Sequence, residues 1–245
     1  FLDPDLEMVE QATKVATDRI ELYTEDFASH FGGPEQETTF ERYLAAASRA
    51  SQRQSNGGVG VRVLALDFDG VISDSAVESF VVALRTMARQ DPRLAWASSL
   101  SRLAGADAAC VRADSLYRGF LELMPLGNRA EDFSVALSLL EAGDVVDDQA
   151  GFDRFREGMG ADFLSEFHVA FYREREALRA TDPVAWLDLL APFCELVEIL
   201  HRRSGDRILA LATAKDRPSV DLLLAAYGIA NLFPEELIID KEAGR

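Results

Sequence analysis

Two carboxylates one residue apart, Asp67 and Asp69, close an apolar run in the stretch Val61-Arg62-Val63-Leu64-Ala65-Leu66-Asp67-Phe68-Asp69-Gly70-Val71-Ile72-Ser73-Asp74-Ser75. Acids so placed could do covalent and acid/base chemistry. One carboxylate can form a covalent intermediate that splits a hard displacement into two easier steps. A second, held close by, can shuttle the proton. Facing a phosphate dianion, the two acids would repel it unless a cation intervened, and a hard, oxygen-rich site of this kind suits Mg²⁺.

Such acids need an element to present them. The run before Asp67 reads as a buried strand of a parallel sheet covered on both faces, and open α/β sheets receive their ligands at the carboxyl ends of such strands. Asp69-Gly70 could instead be a type I′ hairpin turn. The residues downstream argue against that, because Ser73, Asp74 and Ser75 offer N-caps and Val77, Phe80, Val81, Leu84, Met87 and Ala88 then recur at helical spacing. The order is strand, acidic loop, helix.

In that setting Asp67-Phe68-Asp69-Gly70-Val71 resembles the first motif of the haloacid dehalogenase superfamily of phosphatases. The resemblance implies that Asp67 attacks phosphorus, that Asp69 is the general acid/base, and that Mg²⁺ is held by the Asp67 side chain and the Asp69 backbone carbonyl. It implies an α/β fold with a Rossmann-like parallel core and an inserted helical cap. A second apolar run, Arg207-Ile208-Leu209-Ala210-Leu211-Ala212-Thr213, reads as a further strand. By resemblance to the superfamily's second motif, Thr213 would donate to a phosphoryl oxygen. The other reading of Thr213 is a helix cap, since Asp216, Pro218, Val220, Leu223 and Leu224 start a helix at once. Lys215 is near enough in sequence to serve a phosphate, and equally could be a solvated loop lysine. Leu237-Ile238-Ile239-Asp240-Lys241 reads as a third strand, and Lys241 is the candidate for the cation that the resemblance places after it. The acidic pair expected on a further strand has no counterpart before Arg245.

Between these strands the chain reads as helix after helix. Ala76 to about Gln90 is stopped by Asp91-Pro92, and breaks follow at Gly105, Pro125 to Asn128, Gly143-Asp144 and Gly158-Met159-Gly160. The resemblance makes this the cap, a lid that excludes water and sets substrate choice. Arg129 is its candidate substrate-binding cation, against the plainer reading of a solvated loop arginine. Phe163, Phe167, Val169, Ala170 and Phe171 read as cap core, and His168 as a structural histidine.

The first 57 residues read as helix, strand, helix, with a joint at Gln54-Ser55-Asn56-Gly57-Gly58. Their strings Phe1-Leu2-Asp3-Pro4-Asp5, Asp18-Arg19-Ile20-Glu21-Leu22-Tyr23-Thr24-Glu25 and Glu41-Arg42-Tyr43-Leu44-Ala45-Ala46-Ala47 resemble part of pyridoxine 5′-phosphate synthase, a (β/α)₈ barrel enzyme. The resemblance implies that Glu21 lies on a barrel strand facing that family's active site. One or two βα units cannot close a barrel whose chemistry is gathered from several strands, so this piece alone should be inactive.

Bulk properties bound the rest. The chain has 245 residues, 48% of them apolar, and a net charge of −17, a field that repels nucleic acid and anionic membrane surfaces. No stretch approaches the roughly 18 apolar residues that span a bilayer. Cys110 and Cys194 lack metal-ligand spacing and read as reduced thiols of a cytoplasmic protein, and a start on Phe1 suggests a piece of a longer chain. The expected organisation is an N-terminal extension over 1–57, an α/β core from 58–75 and 186–245, and a helical cap over 76–185. The expected function is Mg²⁺-dependent hydrolysis of a small phosphate ester. The alternatives are a non-catalytic fragment or fusion product, and part of a protein containing a pyridoxine 5′-phosphate synthase.

Overall fold

The apolar run before Asp67 and its partner before Thr213 meet in a small parallel sheet, and most of the other described residues are helical. The computed structural model describes residues 5–14, 38, 39, 41, 42, 45, 46, 63–90, 103, 107–146, 148–205 and 208–240. In chain order its main elements are α1 (Leu6–Lys14), β1 (Val63–Leu66), β2 (Ser73–Asp74), α2 (Ala76–Gln90), α3 (Ala108–Ala113), α4 (Ser115–Leu123), α5 (Ala130–Ala142), α6 (Gln149–Met159), α7 (Ala161–Thr181), α8 (Pro183–Asp188), β3 (Ala191–Pro192), α9 (Cys194–Arg203), β4 (Ile208–Ala212), α10 (Arg217–Ala226) and β5 (Ile238–Ile239). They form a mixed α/β protein, mostly helical. Two compact units divide the chain, one made of Phe1–Phe68 with Cys194–Arg245, the other of Asp69–Phe193.

The first unit carries the parallel sheet, in the order β1-β4-β5. Leu66 lies opposite Leu211, and Leu211 opposite Ile238. The middle strand β4 buries Leu209, Ala210 and Leu211, whereas Val63 and Leu64 of β1 are 44% and 41% exposed. That corrects the expectation of a covered β1. A run of apolar residues looks the same at an edge as at the centre of a sheet, and β1 is an edge among the described residues. Helix α10 starts where its side chains dictate: the Asp216 carboxylate accepts from the Ser219 amide (3.1 Å) and hydroxyl (2.8 Å), Pro218 sits in the first turn, and Val220, Leu223 and Leu224 are buried. The chain leaves the helix through Gly228, whose φ of 72° favours glycine.

The second unit is helical from α2 to α8. Its core is aromatic: Phe80 meets Phe120 at 5.2 Å between ring centroids, Phe120 meets Phe133 at 5.5 Å, Phe133 meets Phe171 at 5.6 Å, and Phe171 meets Phe167 at 6.3 Å. Ring pairs at these separations add about 0.5–1.5 kcal/mol each beyond the burial itself. On α7 the buried side includes Leu164, Phe167 and Phe171, so Phe167 and Phe171 are core as expected, but Val169 is exposed. Helical geometry turns position 169 away from the face shared by 164, 167 and 171. The ends of this unit are tied by a two-residue antiparallel ribbon, Ser73 opposite Pro192 and Asp74 opposite Ala191. The Phe193 amide extends it by donating to the Ile72 carbonyl at 3.0 Å.

Candidate functional site

Because β1 and β4 run parallel with Leu66 opposite Leu211, the residues that follow them, Asp67 and Thr213, stand at the same, carboxyl end of the sheet. Asp67 is exposed, and its carboxylate accepts from the Phe68 amide at 2.6 Å. Phe68 is buried and stacks on Tyr227, the planes 9° apart, which anchors the chain just past Asp67. Thr213 prolongs the sheet by donating its amide to the Ile239 carbonyl (2.9 Å). Its hydroxyl oxygen accepts from the Lys215 amide (3.1 Å), and its own proton can still be given to an incoming oxygen. The capping role weighed for Thr213 falls to Asp216. Lys215 is 1% exposed, so it is not a solvated loop lysine.

Asp69 belongs to the other unit. It is half-buried, and its Oδ1 accepts from the Ser75 hydroxyl. The turn between them is closed by the Gly70 amide donating to the Ser73 carbonyl at 2.8 Å. Gly70 has φ 77°, a left-handed conformation that costs other residues strain. Asp67 and Asp69 therefore sit in different units, and no group of three or more His, Cys, Asp or Glu that could hold a metal ion occurs among the described residues. Arg129 is exposed at the N-terminus of α5, where its backbone amide donates to Asp132 Oδ2 (3.1 Å). Lys241 and Glu21 lie outside the described residues.

A charged network in the second unit was not anticipated from the sequence. Glu78, fully buried on α2, accepts from Arg175 Nε and Nη2 at 2.7 Å each and from Trp186 Nε1 at 3.1 Å. Arg175 lies 4.8 Å from the Phe171 ring centroid and 5.5 Å from that of Tyr172, within cation–π range. Burial works against the Arg175 charge, but Glu78, with Asp69 and Tyr172 contributing, more than offsets it and raises the guanidinium pKa. The one local sign was a glutamate amid the apolar spacing Val77, Phe80, Val81. Nothing local pointed to a partner 97 residues away.

A second polar cluster joins α5, α6 and α7. His168 Nδ1 lies 2.8 Å from Glu131 Oε2, and Arg156 donates to Asp132 at 2.8 Å and approaches Glu131 at 3.7 Å. Burial pushes the Glu131 carboxyl up, yet the His168 hydrogen bond and the charges of His168 and Arg156 hold it below the ordinary glutamate value. His168 is thus engaged with a carboxylate between helices. Elsewhere in this unit, burial and the charge of Asp74 push the Tyr117 phenol up to about 12.

Comparison with known proteins redirects the functional reading. The family model for the pyridoxal phosphate biosynthesis protein PdxJ matches residues 1–63. No curated protein and no solved structure matches the chain. This overturns the haloacid dehalogenase reading of Asp67 to Val71, and with it the Mg²⁺-dependent phosphatase: five residues carried that resemblance, and the family found lies elsewhere in the chain and has a different chemistry. None of the helices among the described residues is long and apolar enough to cross a membrane. What the chain is similar to, over 63 of its 245 residues, is a protein of pyridoxal phosphate biosynthesis.

Proposed function

We propose that the protein takes part in pyridoxal phosphate biosynthesis, with residues 1–63 serving as a segment of a pyridoxine 5′-phosphate synthase barrel. The family match over those residues carries the reading, and the strings around Glu21 agree with it. An enzyme lineage survives in this form; a hydrolase does not. Barrel active sites collect side chains from the ends of several strands, so this segment contributes to a site, and Glu21 is its candidate functional residue. A cytoplasmic location fits the two exposed cysteines, Cys110 and Cys194. Fragment complementation tests the proposal. In a bacterium whose only synthase lacks the corresponding segment, expressing this protein should restore growth without vitamin B6, and Glu21→Gln should abolish the rescue. Failure to rescue, with the protein present at normal levels and an intact synthase succeeding, would overturn it.

The sheet of the first unit favours a second, separate reading: the carboxyl ends of β1 and β4 bind a small phosphate-bearing molecule without turning it over. Thr213 would donate its hydroxyl proton and Lys215 its positive charge, with Asp67 accepting from a ligand hydroxyl. The register that brings Asp67 and Thr213 to one end of the parallel pair supports it. Titration with inorganic phosphate, followed by the amide NMR signals of Thr213 and Lys215, is the test. Saturable shifts that vanish in Thr213→Val are expected; unmoved signals at tens of millimolar phosphate would end the idea.

A further inference from the structure

We draw no further inference here: the strongest candidate, the apolar outer edge of the sheet at β1, where Val63 and Leu64 are exposed beside the exposed Ile208 of β4, carries nothing because nothing in the structure shows what covers it.

Discussion

The helical unit and the sheet-bearing unit handle their side chains in opposite ways. In the helical unit, Asp69–Phe193, aromatic rings touch from Phe80 through to Phe167, and the buried carboxylate Glu78 is matched by three donors. In the sheet-bearing unit, an edge strand leaves three of its four apolar residues exposed, and the chemistry-bearing residues Asp67 and Thr213 follow the strands. The family match and the strand ends both lie in the sheet-bearing unit. A buried ion pair is weak evidence for stability, since desolvating both charges costs several kcal/mol, but breaking it is expensive.

The contrast can be attacked by mutation, starting where the largest loss is expected. Phe120→Ala should cost about 3–5 kcal/mol by urea denaturation, because it removes a fully buried ring from the aromatic core; a loss under about 1 kcal/mol would mean that the core is looser than its contacts indicate. Arg175→Met strands the Glu78 carboxylate and should also cost about 3–5 kcal/mol, whereas the double change Glu78→Leu/Arg175→Met should recover most of it. If the double variant were as unstable as the single one, packing rather than charge would explain the site. In the sheet-bearing unit the expected effects shrink. Asp216→Ala removes the N-cap of α10 and should cost about 1 kcal/mol. Leu64→Ala, at an exposed edge, should stay within about 0.5 kcal/mol.

Acidity sharpens the same comparison. The folded state lowers the Glu131 pKa, so this group's stabilisation is present above the unfolded glutamate value of about 4.3 and is lost as pH falls through the lower folded value. The stability gap between the parent and Glu131→Gln should accordingly close as pH falls through that folded value. A gap that widened on acidification would contradict the pairing with His168 and Arg156.

Local pattern made part of this legible. The strand, loop and helix around Asp67 followed from a switch in hydrophobic period, and the start of α10 from Asp216 and Pro218. Three kinds of information were not local. Whether an apolar run such as Val63 to Leu66 is central or at an edge depends on which strands pair with it. The two-residue ribbon Ser73–Asp74 with Ala191–Pro192 is too short to leave a period. The Glu78–Arg175 pair depends on how α2 and α7 pack. Asp67 to Val71 shows a further limit: acids after a strand are compatible with several chemistries, so five residues could not specify one family, whereas a family model matches the longer N-terminal stretch.

The most direct measurement is of product. Purified protein, mixed with a pyridoxine 5′-phosphate synthase lacking the segment equivalent to residues 1–63 and supplied with that enzyme's substrates, should yield pyridoxine 5′-phosphate detectable by mass spectrometry, and the yield should collapse in Glu21→Gln. No product beyond that of the truncated synthase alone, or a yield indifferent to the charge at position 21, would contradict a role for this chain in making the vitamin.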